Sequence, residues 1–149
     1  MISCFRLSSS RYPSDSGKGA ARYGGRWNPA GVEAIYAATS VSLAALEVLV
    51  HFSVLPRDFV LTEIRVPDGV LVESLRREDL PAKWDLLSSS AATQEIGRIW
   101  AADLRSAVLS VPSAIVPVDR NYVLNPKHPE FGRIRFLRPA PFRFDIRLK

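Results

Sequence analysis

The sequence predicts a single α+β domain, and three observations carry the prediction. At 149 residues the chain can bury one sizeable core but not two. Short apolar runs of period two recur along it and crowd its second half, as strands do. Only two segments have helical periodicity, and they do not alternate regularly with strands as a doubly wound sheet requires. In chain order, residues 2–7 read as a short strand. Residues 8–31 read as one long irregular stretch crowded with Ser, Gly and Pro. Residues 34–37 form the next expected strand, followed by Thr39-Ser40, which supplies an N-cap for a helix over 41–53. Residues 59–66 alternate cleanly as a strand, with 70–75 as its expected neighbour beyond the Pro67-Asp68-Gly69 turn. A second helix is expected over 92–106, with Ile96, Trp100 and Leu104 facing inward and Gly97 weakening it slightly. Strands at 107–110, 114–118, 133–137 and 142–147 complete the expectation.

Composition narrows the function classes. A 47% hydrophobic and 23% charged chain is ordinary for a globular protein, and no apolar run approaches a membrane span, so no membrane partner is expected. The opening Met1-Ile2-Ser3-Cys4-Phe5-Arg6 lacks the pattern of a secretory signal, which makes the cytoplasm the expected compartment. One cysteine, Cys4, excludes an internal disulfide and reads as a small core residue. The net charge of +5 suits an anionic partner, whether a nucleotide, a nucleic acid or an acidic protein. Arg133, Arg135, Arg138, Arg143 and Arg147 hold much of that excess and read as a solvated sheet face.

Several site classes find no motif. Gly17-Lys18-Gly19-Ala20-Ala21-Arg22 lacks the last glycine and the setting of a dinucleotide fingerprint. His51 and His128 without a cysteine cluster give no basis for a metal site, and His128 beside Pro129 reads as a loop residue. Ser113, after Val111-Pro112, does not sit in a nucleophile elbow. What remains suits a dinucleotide. Arg6, Lys18 and Arg26 are cations, Gly24-Gly25 permits close backbone approach, and Trp27 and Tyr36 offer rings. Glu47 is the clearest positional clue, because its helix is apolar nearly all round and reads as buried. A carboxylate there, one turn from His51, requires a polar cavity, a cationic partner or a proton. Breaking a bond between nicotinamide and ribose builds positive charge on the sugar, and a nearby carboxylate stabilises it.

Together these residues resemble the RES domain, the toxin half of a bacterial toxin-antitoxin family named for Arg, Glu and Ser. The matching text is Gly17-Lys18-Gly19-Ala20, Gly24-Gly25-Arg26-Trp27-Asn28-Pro29, Ile35-Tyr36-Ala37, and Leu43-Ala44-Ala45-Leu46-Glu47 leading to His51. It continues with Ile96-Gly97, Trp100, Val111-Pro112-Ser113, Asn121, Leu124-Asn125-Pro126 and Phe144-Asp145-Ile146-Arg147, so that it spans nearly the whole chain in order.

The resemblance implies a fold similar to the ADP-ribosyltransferase toxins, with split β-sheets and a few helices around an NAD cleft, NAD being substrate and no metal taking part. It implies Glu47, Arg26 and Tyr36 as the catalytic set. Arg6, Lys18, Gly25, Arg26, Tyr36, Ser113 and Asn121 are then the NAD-binding set. Arg6 and Arg26 are placed on the phosphate side, Tyr36 on the nicotinamide and Ser113 along the cleft. Arg6 is preferred to Arg11 because it ends a strand and precedes the loop. The implied reaction is cleavage of the nicotinamide-ribose bond, which depletes NAD by hydrolysis or phosphorolysis. In the alternative outcome ADP-ribose passes to a host metabolic protein. The implied partner is an Xre-type antitoxin that blocks the active site, in a complex containing a toxin dimer. A nucleic-acid-binding or RNA-cleaving toxin is the rival that the charge raises. It predicts strongly salt-dependent binding, but the chain lacks a stacking sheet and a histidine acid-base pair, so direct nucleic-acid binding is not expected.

Overall fold

The computed structural model describes residues 1–87 and 90–149. In order the elements are β1 (Ile2–Ser9), α1 (Lys18–Tyr23), β2 (Ile35–Ala38), α2 (Val41–Leu49), β3 (Phe59–Val66) and β4 (Val72–Ser74). They continue with α3 (Ala91–Ala102), β5 (Val108–Pro112), β6 (Arg120–Leu124), β7 (Arg135–Phe136) and β8 (Ala140–Phe142). The eight strands join in the order β4-β5-β6-β2-β1-β3-β7, with β8 also on β3. The fold is thus α+β, a curled and almost wholly antiparallel sheet dressed by three helices, and no described helix is long and apolar enough to cross a membrane.

The sheet is nearly two sheets. β1 pairs with β3 over eight residue pairs and β2 with β6 over four, yet β1 and β2 meet only at Phe5↔Ala38. Beyond that pair the two halves splay apart and leave a seam. Three apolar clusters hold the halves. Cys4, Ile64, Val66, Val108 and Leu124 pack under the middle of the sheet. Trp27, Trp84 and Trp100 pack with Leu109, Val111 and Val123 under α3. Leu7, Ala38, Leu43, Ala44, Leu49 and Phe144 form the third, under α2.

β3 occupies the expected residues, and Ser40 caps α2 by accepting from Leu43 N at 3.1 Å. Elsewhere tertiary structure overrides local pattern. The stretch 8–31 is not irregular throughout, since β1 runs on to Ser9 and α1 forms inside it. Only one side of α2 is buried; Leu46 and Val50 are exposed. β4 does not pair with β3, whose edges are taken by β1 and by β7 and β8, and it lies parallel to β5 instead. α3 ends at Ala102, and Leu104 beyond it turns outward at φ 51° and is exposed. The expected strand at 114–118 is the β5–β6 connection, because Ser113 Oγ accepts from Ile115 N at 3.2 Å and Val116 N at 3.0 Å and closes a turn there. The strand lies just beyond, in β6. β7 is only two residues long, and 142–147 is not a strand: Phe144 plugs the third cluster and Asp145 caps a final 3-10 turn.

Candidate active site

The seam opens into a cavity of about 720 Å³, within the range of small-molecule sites. Arg6, Gly25, Arg26, Tyr36, Glu47 and Asn121 all line it. Two other residues singled out from the sequence do not. Lys18 is exposed on α1 away from the lining, and Ser113 is fully buried behind Glu47.

Glu47 reaches the cavity from the last turn of α2. Its Oε1 accepts from Ser113 Oγ at 2.6 Å and from Asn121 Nδ2 at 2.8 Å. Both donors belong to the β5–β6 hairpin, Ser113 following β5 and Asn121 standing opposite Val111. The hairpin therefore clamps one carboxylate oxygen, while Oε2 has no hydrogen bond to any described residue. Ser113 acts on the carboxylate, not on the cavity. Its hydroxyl is used in full, with one bond given and two accepted.

Arg6 and Arg26 reach the cavity from different elements, β1 and the loop after α1. Arg6 bridges the seam, NH1 donating to Tyr36 O at 3.1 Å where the β1–β2 ladder has parted. Burial pushes its guanidinium down to about 10, still far above neutrality, so it enters the cavity charged. Arg26 donates through NH1 to Trp84 O at 3.0 Å and Leu86 O at 2.9 Å, tying the glycine loop to the segment before α3. Neither arginine is ion-paired among the described residues. Two unneutralised guanidiniums in one cavity favour an anionic ligand.

The loop that carries Arg26 is fixed by residues that sequence reasoning did not assign. Asn28, almost fully buried, donates through Nδ2 to Ala20 O, Pro29 O and Val32 O. Its Oδ1 accepts from Tyr36 OH at 2.5 Å, and that hydroxyl accepts from Trp27 N at 3.0 Å. The Tyr36 hydroxyl is thus held within the protein. Burial raises it far above the phenol range, so it stays protonated, and what Tyr36 offers the cavity is its ring. Thr93 Oγ1 donates to Arg26 O at 2.6 Å and Gln94 Nε2 to Gly25 O at 2.9 Å, pinning the loop to α3. Gly25 must be small, because a Cβ there would lie 2.7 Å from Tyr36 OH and 2.9 Å from Asn28 Oδ1. The available signals were the Asn before Pro29 and polar residues at the start of an expected helix. His51 also lines the cavity, and its imidazole makes no hydrogen bond among the described residues. Among the described residues no group of three His, Cys, Asp or Glu side chains comes together as metal ligands would.

A curled α+β sheet parted at one seam, with a clamped carboxylate and two unpaired guanidiniums facing the opening, defines a protein whose seam cavity suits an anionic ligand. More particularly, the chain belongs to the RES domain family, which matches residues 3–145. It is 43% identical over 149 residues to "Toxin Res" of Photorhabdus laumondii subsp. laumondii, with 97% of this chain and 95% of the relative covered. It is 41% identical over 137 residues to "Prs ADP-ribosylating toxin" of Sphingobium sp. strain YBL2, covering 89% and 85% respectively. Among solved structures, the M. tuberculosis MbcT-MbcA toxin-antitoxin complex is similar at a TM-score of 0.75 and 22% identity, covering 95% of this chain and 84% of that one. That likeness is one of fold.

Proposed function

We propose that this chain is the toxin of a toxin-antitoxin pair and that it cleaves the nicotinamide-ribose bond of NAD. The observation that carries the reading is the clamped Glu47, held by Ser113 and Asn121 in a cavity that also presents Arg6 and Arg26. The arginines suit the pyrophosphate, with Gly25 admitting the substrate close to the backbone, and the Tyr36 ring suits the nicotinamide. Glu47, fixed in position before the reaction, stabilises the positive charge that develops on the ribose. The C1′–N bond breaks with its electron pair going to the pyridinium nitrogen, so nicotinamide leaves neutral without a general acid. An oxygen of water or phosphate then bonds to C1′ and gives up its proton. Asn121 is a positioning residue for Glu47 in this reading. So is Ser113, which is placed to act through the carboxylate and not on NAD directly.

Transfer of ADP-ribose to a metabolic protein is the second outcome, favoured by the name of the Sphingobium relative. It shares the bond cleavage and differs in the nucleophile. The proposed partner is an Xre-type antitoxin that covers the cavity, within a complex containing two toxin chains. The toxin-antitoxin complex among the structural neighbours supports an antitoxin partner, as do the exposed Tyr23, Val50 and Leu87 around the mouth. The deciding experiment incubates the pure chain with NAD, with and without phosphate, and follows nicotinamide release and product mass. Release that Glu47→Gln abolishes while the variant stays folded is expected. No release under any condition, with candidate protein targets also unmodified, overturns both outcomes.

A further inference from the structure

The strand register places a second polar group behind Arg6. In the β1–β3 pair Arg6 stands directly opposite Thr62, and Ser8 opposite Val60. Directly opposed residues of an antiparallel pair project to one face, and so do residues two apart on a strand. Arg6, Ser8 and Thr62 therefore share a face, alongside Cys4 and Ile64 of the apolar core. On that face Arg6 Nε, Ser8 Oγ and Thr62 Oγ1 are each buried without a hydrogen-bond partner. Thr62 has no exposed surface, while Arg6 and Ser8 line the cavity above it.

Orphaned buried polar atoms are uncommon, and each is costly. Three of them side by side, one on a guanidinium that meets no carboxylate, form a group whose members need the same missing chemistry. The guanidinium lacks an anion, and the hydroxyls lack partners. A tetrahedral oxyanion supplies both. It accepts from the outer edge of Arg6 and, once the buried Ser8 side chain turns toward the cavity, from the Ser8 hydroxyl; drawing the guanidinium onto the anion then brings the inner Nε–H to Thr62 Oγ1, a bond absent from the free protein, and fixes the guanidinium plane.

We propose that Ser8 and Thr62 complete a phosphate subsite around Arg6, Ser8 as a direct contact and Thr62 as a positioning residue. The proposal rests on the reading of the cavity as an NAD site, and the subsite takes one phosphate group of the dinucleotide. Free phosphate has the same chemistry, so the two sources are separated by the probes.

The test is calorimetric titration of the full chain with ADP-ribose, with orthophosphate and with nicotinamide, which carries no phosphate. It uses Ser8→Ala, Thr62→Val and the conservative Thr62→Ser. Ser8→Ala and Thr62→Val are expected to weaken ADP-ribose by about 10- to 150-fold each, the scale of one lost hydrogen bond to a charged group. Thr62→Ser restores binding, and nicotinamide binding does not move. Because Thr62→Val removes an unsatisfied hydroxyl, its urea midpoint is expected to equal or exceed the parent's, which a merely structural role for Thr62 does not predict. Orthophosphate that competes with ADP-ribose and weakens in the same variants shows that free phosphate also enters the subsite. ADP-ribose sensitivity without orthophosphate binding assigns it to the dinucleotide alone. Unchanged ADP-ribose affinity, equal weakening of nicotinamide, or failure of Thr62→Ser to rescue overturns the proposal. If the chain cleaves no NAD yet phosphate ligands still respond to these variants, the subsite stands and the cleavage reading falls. If Thr62→Val cleaves NAD with an unaltered KM, the reverse holds.

Discussion

Exchanging Gly97 for alanine separates helix propensity from tertiary contact. In an ordinary helix interior the change stabilises by about 0.8–1 kcal/mol. Gly97 is fully surrounded, however, and a Cβ there would lie 1.6 Å from Trp27 O and 2.7 Å from Trp27 C. Restoring van der Waals separation requires α3 and the glycine loop to part by roughly 1.5–2 Å. No space receives that movement, because Trp27 is 3% exposed and Trp100 1%. The displacement also stretches the bonds from Thr93 Oγ1 to Arg26 O, now 2.6 Å, and from Gln94 Nε2 to Gly25 O, now 2.9 Å. Losing both costs about 1–3 kcal/mol and overpacking adds about 1–3 kcal/mol, so after the propensity gain the net destabilisation is about 1–5 kcal/mol. Urea denaturation followed by circular dichroism measures it as a lower midpoint at unchanged slope. NAD cleavage is expected to fall as well, since Arg26 travels with the loop. A variant as stable as the parent, or more stable by the propensity increment, refutes the reasoning.

Other expectations follow from the same geometry. Ser113→Ala removes one of the two donors to Glu47 and the acceptor for two backbone N–H groups. It should cost about 1–3 kcal/mol of stability and lower kcat at least about tenfold with little change in the KM for NAD. Undiminished kcat removes Ser113 from the positioning of Glu47. Tyr36→Phe keeps the ring but orphans Trp27 N and Asn28 Oδ1, and a loss of about 1–3 kcal/mol in a urea melt is expected. Burial pushes the Cys4 thiol up from 9.0 to about 12. Above pH 9 the unfolded chain therefore gives up a proton that the folded chain keeps. The contribution to stability is full below pH 9 and declines by at most about 1.4 kcal/mol per pH unit towards pH 12. A Cys4→Ala variant should show a shallower alkaline loss, and native Cys4 should resist thiol reagents until the chain unfolds. Rapid labelling of the folded protein contradicts that burial.

The features legible in the sequence were those written over a few neighbouring residues. Alternation marked β3 to the residue, and the hydroxyl of Ser40 marked the start of α2. Glu47 stood out because a carboxylate on an apolar helix needs an explanation, and Gly25 because a glycine pair beside an arginine permits close approach. The same local logic explains the misplacements. Residues 114–118 are as apolar as many strands, but Ser113 turns the backbone there and the ladder resumes in β6, whose first two residues are polar. α1 is six residues long with no side-chain cap, so nothing local announced it.

Residue chemistry therefore established which side chains were available to a site, namely the cations Arg6, Lys18 and Arg26, a glycine pair, two rings and a helix carboxylate, while Ser113 entered only through the family resemblance. Their use depended on pairings between distant segments. Ser113 and Asn121 meet Glu47 across 66 and 74 residues, and Thr93 meets the Arg26 carbonyl across 67. Ser8 and Thr62 join Arg6 only through the register of β1 on β3. A slip of one residue in that register would send Thr62 to the other face and leave its local sequence unchanged, which is why no reading of the segment in isolation finds it.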